Sequence, residues 1–209
     1  MEKKLLFDGK TFLSSKPMPA DLYRDAIIKG MTMGNPVLPF LIYVPLVAGY
    51  SWLALAHFSL GGMAFVGLAT AGVLWWTVFE YLLHRYAFHY QPTSVWGKRL
   101  MYVMHHGHHQ YPNDERLMVS NPWVSLPGSV FFLGLAWLLI GAASLAFMAG
   151  MLSAYLAYDW LHHAVHVHNF NHPLFQKLKK HHMRHHYRDP ATNYGFVTTF
   201  WDRVMNTKG

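Results

Sequence analysis

Sixteen of the 209 residues are histidine and none is cysteine. Fifteen of the histidines fall in four short clusters, and only His57 stands alone. His105, His108 and His109 are spaced i, i+3, i+4, and His182, His185 and His186 repeat that spacing. On an α-helix such residues share a face and can converge on one centre. His162 and His166 form an i, i+4 pair, while His84 and His89, five apart, are expected to straddle a helix end. Neutral imidazole is the commonest protein metal ligand and suits iron, zinc and copper. Ten imidazoles at these spacings point to a polynuclear metal site. The absence of cysteine excludes thiolate ligands, disulfides and iron–sulfur clusters.

Two carboxylates lie close to the ligand candidates. Glu80 precedes His84 by one helical turn, and Asp159 precedes His162 by three residues. A charge near membrane depth is costly and marks a functional position. Both carboxylates are expected to accept the second N–H of a ligating imidazole, which would fix its tautomer. The other reading is a helix-end carboxylate bonded to Tyr158 or Trp160. His106, His163, His168 and His181 each neighbour a better-spaced histidine, and their role stays open between solvent, phospholipid and a supporting contact. His172 and His57 read as loop and interfacial residues. Trp75, Trp76 and Phe79 read chiefly as packing or lipid-facing aromatics, with a grip on a bound chain as the other reading.

The elements that must carry these residues are apolar. Hydrophobic residues make up 53% of the chain and charged residues 13%, against about 25% charged in soluble domains. Pro36–Leu83 holds one charge, Glu80, and Val124–Leu161 holds one, Asp159. About 20 apolar residues cross a bilayer, so each block has room for two helices. The breaks are expected near 58–62 and 141–144. The expected fold is therefore an all-α integral membrane protein, with four spans in two hairpins and a helical cap bearing the histidines. A re-entrant second hairpin is the alternative. The organisation is a single domain: an interfacial N-terminus (1–35), a first hairpin (36–83), a histidine segment (84–123), a second hairpin (124–161) and a histidine-rich cap (162–209).

All 17 Lys and Arg lie outside the two apolar blocks. By the positive-inside rule both termini and the histidine clusters face the cytoplasm. No signal peptide precedes Pro36, and Asp21–Met31 reads as a short amphipathic helix lying on the bilayer. The net charge of +7 suits anionic headgroups or an acidic protein partner. No nucleic-acid module accompanies it.

Several segments resemble the fatty acid hydroxylase superfamily, which includes sterol desaturases. They are Glu80-Tyr-Leu-Leu-His-Arg-Tyr-Ala-Phe-His89, Tyr102-Val-Met-His-His-Gly-His-His109, Tyr158-Asp-Trp-Leu-His-His-Ala-Val-His166 and Leu178-Lys-Lys-His-His-Met-Arg-His-His186. Asp114-Glu-Arg-Leu and Gly195-Phe-Val-Thr-Thr-Phe-Trp-Asp202 match as well, and the likeness is nearer to fatty acid 2-hydroxylases. It covers roughly Thr77 to Thr207. The resemblance implies a dimetal centre held by His84, His89, His105, His108, His109, His162, His166, His182, His185 and His186. It implies iron in the working enzyme, with zinc possible in purified protein. It also implies O2-dependent hydroxylation next to the carboxyl-derived end of a long acyl chain, often in a sphingolipid. Eukaryotic relatives of this kind usually carry an N-terminal cytochrome b5 domain, whereas no His-Pro-Gly-Gly motif occurs here. Electrons are expected from a separate cytochrome b5- or ferredoxin-like donor and its reductase. The short N-terminus fits a bacterial inner-membrane protein.

The histidine pattern alone also admits a related oxygenase or desaturase acting on a sterol, carotenoid or lipid headgroup. A metal transporter is the reading from a different class. It fits poorly, because transporters place ionisable residues near the bilayer midplane and both hairpins lack them there.

Overall fold

The computed structural model describes residues 13–18 and 34–209, and all its regular elements there are helical. The expected helix at Asp21–Met31 lies outside the described residues. Three helical runs are long and apolar enough to cross a membrane: Leu38–His57, Gly62–Phe88 and Glu115–Val167, of 20, 27 and 53 residues. Large apolar side chains such as Leu41, Val66, Leu74, Phe131 and Leu138 stand exposed on them. Contiguous apolar surface of this kind requires a lipid or protein neighbour. The chain is a membrane protein.

Helix α1 (Leu38–Trp52) has a proline, Pro39, in its first turn, where the fixed φ suits a helix start, and it runs into a π-type turn, Leu53–His57. After the turn at 58–61 comes α2 (Gly62–Leu82), which runs on through a second π-type turn, Leu83–Phe88. At about 1.5 Å per residue this run reaches about 40 Å, longer than the roughly 30 Å hydrocarbon layer. A span of that length leaves a turn or two clear of the acyl chains, and its C-terminal turns carry Glu80 and His84.

The 53-residue run is no single rod. Helix α5 (Pro122–Ile140) stops at Gly141, whose φ of +56° only glycine adopts readily. Helix α6 (Ser144–Val167) then turns back along it. Met118 and Ser120 bond to His162 and Asp159, while Leu133 packs against Leu145 and Ala146, so the two helices are antiparallel. Helix α6 is central, with 15 of its 24 residues buried. It crosses α2 at glycines. A Cβ on Gly72 would strike the Phe147 carbonyl, and one on Gly150 would strike the Ala69 carbonyl. Small residues at a crossing let two backbones approach where water supplies no hydrophobic drive.

Shorter elements cap the histidine-bearing end. Helix α3 (Val95–Met101) begins at Ser94, whose Oγ accepts the Gly97 N–H at 3.1 Å. It continues as a π-type turn (Tyr102–His106) and then as α4 (Gly107–Gln110). Helix α7 (Pro173–Tyr187) is amphipathic. It buries Phe175, His182, His185 and His186, and it exposes Lys177, Lys180 and Tyr187. The last element is α8 (Phe200–Val204).

Candidate metal centre

The ten spaced histidines come together as two groups of five. One holds His84, His89, His105, His109 and His185, and the other His108, His162, His166, His182 and His186. In each group the ligand atoms lie within 4.8 Å of one another.

The partition divides each HxxHH triplet between the two groups. His105 and His109 enter the first group and His108 the second; His182 and His186 enter the second and His185 the first. The cause is angular. With about 100° per residue, i+3 and i+4 lie on opposite sides of i, about 100° apart. A triplet therefore presents an i, i+4 pair to one centre and its i+3 member to the neighbour. His84 and His89 share a group for another reason. The His89 N–H donates to the His84 carbonyl at 3.3 Å, the i→i+5 bond of a π-type turn. That wider turn brings residues five apart back to one side.

In the first group the Nε2 atoms form a closed circuit. His84 to His105 is 3.0 Å, His105 to His109 2.8 Å, His109 to His185 3.1 Å, His185 to His89 3.1 Å and His89 to His84 3.3 Å. In the second, His182 Nε2 lies 2.9 Å from that of His166 and 3.0 Å from that of His186. Three of the rings have their tautomer fixed by the other nitrogen. His84 Nδ1–H donates to the Tyr194 carbonyl at 2.6 Å, and His185 Nδ1–H to the Thr192 carbonyl at 2.7 Å. His162 Nδ1–H donates to the Met118 carbonyl at 2.8 Å. A carbonyl only accepts, so each of these rings turns a bare Nε2 lone pair into its cluster. Such lone pairs, converging with the ring nitrogens of the other members, form a site for a cation. Two nitrogens bound at about 2.1 Å and at right angles are about 3.0 Å apart, which the observed spacings match. His108 adds that both its ring nitrogens are buried without a hydrogen-bond partner, a state that costs about 1–3 kcal/mol per group. The residues fit two metal ions.

Burial holds the imidazoles outside the spans in the neutral, ligand-competent form. Burial first, then neighbouring histidines, pushes His105, His108, His109, His182 and His186 well below the usual imidazole range. His89 falls to about 2 through burial and His84, and His185 to about 3 through burial and His89.

The carboxylates behave differently from the expectation that they orient imidazoles. Glu80 Oε1 accepts the Phe196 N–H at 2.9 Å, and Asp159 Oδ1 accepts the Ser120 N–H at 2.9 Å. Both brace backbone, and backbone carbonyls orient the rings instead. Side-chain spacing carries no signal for those carbonyls, which is why the sequence did not reveal them. Of the histidines left open, His181 pairs with the buried Asp202 at 3.0 Å, and His106 is buried against the Phe88 backbone. His163 lies 3.9 Å from Glu115 and His168 stacks on Phe170. His172 precedes α7 and is exposed, as is His57.

Against both groups lies a cavity of about 280 Å³, at the low end of ligand-site volumes. Its wall includes His105 of the first group and His108 and His162 of the second. Asn121, which caps α5, and Val124, Ser125, Gly128 and Phe132 of that helix line it, as do Trp76 and Phe79 of α2. These two aromatics belong to the cavity, while Trp75 is exposed.

Residues 69–207 match the fatty acid hydroxylase family. The dihydroceramide fatty acyl 2-hydroxylase FAH2 of Arabidopsis thaliana is 38% identical, over 68% of this chain and 61% of that protein. The fatty acid 2-hydroxylase of Homo sapiens is 30% identical, over 90% of this chain and 56% of its own length. The ceramide very long chain fatty acid hydroxylase SCS7 of Saccharomyces cerevisiae is 34% identical, over 79% and 43%. The chain thus spans roughly half of these relatives, which are plant, animal and fungal and lend nothing to a bacterial inner membrane. The structure of full-length scs7p, in which only the hydroxylase domain is visible, superposes with a TM-score of 0.81 at 25% identity, covering 100% of this chain and 93% of that one. With ten histidines in two groups beside an apolar cavity and this match over two thirds of its length, the chain belongs to the fatty acid hydroxylase family.

Proposed function

We propose that this chain is an O2-dependent membrane hydroxylase that places a hydroxyl on C2 of a long fatty acyl chain carried by a lipid. The balanced reaction takes R–H, O2, two electrons and two protons to R–OH and water. The observation that carries this reading is that one apolar cavity is lined by residues of both histidine groups, His105 of the first and His108 and His162 of the second. An acyl carbon in that cavity meets both positions at once. The first group would hold one iron ion and the second the other, and together they would supply dioxygen activation and hydrogen abstraction. The chain's own contribution is placement. Trp76, Phe79 and Phe132 hold the tail and exclude water, and the Tyr194, Thr192 and Met118 carbonyls keep the imidazoles aimed inward. Electrons come from a cytochrome b5- or ferredoxin-like donor with its reductase. The relatives are hydroxylases of fatty acids and ceramides, which favours hydroxylation over desaturation and an acyl chain over a sterol.

Lipids from cells expressing the chain should contain 2-hydroxyacyl species, located by fragmentation in mass spectra. Hydroxyl only at other positions, or none with metal-loaded protein present, contradicts the reading.

We further propose four crossings, with both termini and the histidines on the cytoplasmic side. The antiparallel packing of α5 on α6 and the confinement of all Lys and Arg outside the apolar blocks support this. The chain has no cysteine, so single introduced thiols report cleanly. Ser59→Cys should react with an impermeant maleimide from outside the cell, and Lys208→Cys only after permeabilisation. The opposite labelling would invert the topology.

A further inference from the structure

The two histidine groups are aimed by two different loops, and each loop is tied to its own buried carboxylate. In the first group His84 and His185 both donate to carbonyls of one segment, at Tyr194 and Thr192. That segment is gathered onto Asp202, which is fully buried. Asp202 Oδ1 accepts the Tyr194 N–H and the Thr207 hydroxyl, each at 2.8 Å. Its Oδ2 accepts the Gly195 N–H at 2.9 Å and faces His181 Nε2 at 3.0 Å. The Asp202 carbonyl takes the Thr207 N–H, and the Thr207 carbonyl takes the Asn193 N–H, both at 2.8 Å. Residues 192–195 are therefore closed around a single carboxylate, and two of their carbonyls set the direction of two imidazoles.

The second group rests on another segment. His162 donates to the Met118 carbonyl, and Met118 follows the turn Glu115–Leu117 that Asp114 initiates. Asp114 is buried and holds Arg116 through Nε at 2.8 Å and Nη2 at 2.7 Å, and it takes the Met18 N–H at 3.0 Å. Asp202 thus bonds within the 192–207 segment and to His181, whereas Asp114 bonds to Arg116 and Met18.

We infer that Asp202 and Asp114 are positioning residues, each governing metal retention in one histidine group: Asp202 the group of His84 and His185, Asp114 the group of His162. The inference rests on the dimetal reading. It goes beyond it by assigning metal-specific control to two residues that touch no ligand. Groups that orient a ligating imidazole typically alter metal affinity by about 10–100-fold. One step further out, about 10-fold is expected.

The test loads purified protein with Zn(II) and measures zinc per chain by mass spectrometry, then follows zinc release to a chelator. Wild type should carry two zinc ions. Asp202→Asn should lose one of them about 10-fold faster and hold the other at the wild-type rate, and Asp114→Asn should do the converse. Double variants identify the ion. Asp202→Asn added to His185→Ala should change the remaining ion's release little, whereas added to His182→Ala it should leave neither ion tightly held. Thr207→Val, which removes one hydrogen bond to Asp202 and leaves the carboxylate, should give the same selective effect at smaller size if Asp202→Asn is not recovered folded. Equal acceleration of both ions, or of neither, overturns the inference while leaving the dimetal reading intact. Fewer than two zinc ions in wild type overturns both.

Discussion

Purified His108→Ala protein should carry one metal ion per chain where wild type carries two, and should form hydroxylated acyl product on the order of 1,000-fold more slowly. His108 sits at the middle of the second group. Its ring centroid lies 4.7 Å from those of His162 and His166 and 4.6 Å from that of His186. Both its nitrogens are buried with no hydrogen-bond partner, and a bound ion would occupy one of them. It also lines the cavity, so its loss removes a ligand on the face that the substrate would meet. Losing one ion's contribution to transition-state charge is worth several kcal/mol, hence the size of the effect. His57→Ala, at an exposed turn, should leave metal content and turnover unchanged. Two ions and full turnover in His108→Ala would end its role as a ligand.

Gly128→Phe should separate substrate binding from metal binding. Gly128 lies among the α5 residues that line the cavity, and a Cβ built on it meets nothing within 4 Å. An aromatic ring there enters a space of about 280 Å³ and occupies what the acyl tail would fill. The expected result is two metal ions per chain, a fold of wild-type stability, and conversion of long acyl chains reduced at least about 10-fold, with shorter chains affected less. Unchanged conversion across chain lengths would place Gly128 on the lipid side and move the acyl site elsewhere.

Much of this was legible in the sequence, and the limits have physical causes. The ten candidate ligands could be picked out because imidazole has few structural uses at i, i+3 and i+4 spacing beside a membrane. Their division between two centres was not legible, because a helical wheel puts i+3 and i+4 on one broad face while the 100° between them is enough to serve two ions. The pairing of His84 with His89 depends on a π-type turn, which no propensity rule announces. Glu80 and Asp159 were recognised as unusual charges, yet their partners are the backbone amides of Phe196 and Ser120, which composition cannot reveal. The apolar blocks were plain from charge depletion, and the turn at Gly141 from its glycine and small neighbours. Trp76 and Trp75, adjacent and chemically alike, could not be told apart until packing put one in the cavity wall and the other outside.

The measurement that tests the central claim most directly is growth of expressing cells under 18O2, with mass spectrometry of acyl chains from wild type and His108→Ala. A single 18O atom at C2 of long acyl chains, present with wild type and absent with the variant, is the predicted result. Label at C2 with both proteins, or unlabelled hydroxyl drawn from water, would contradict a histidine-held metal centre that inserts oxygen from O2.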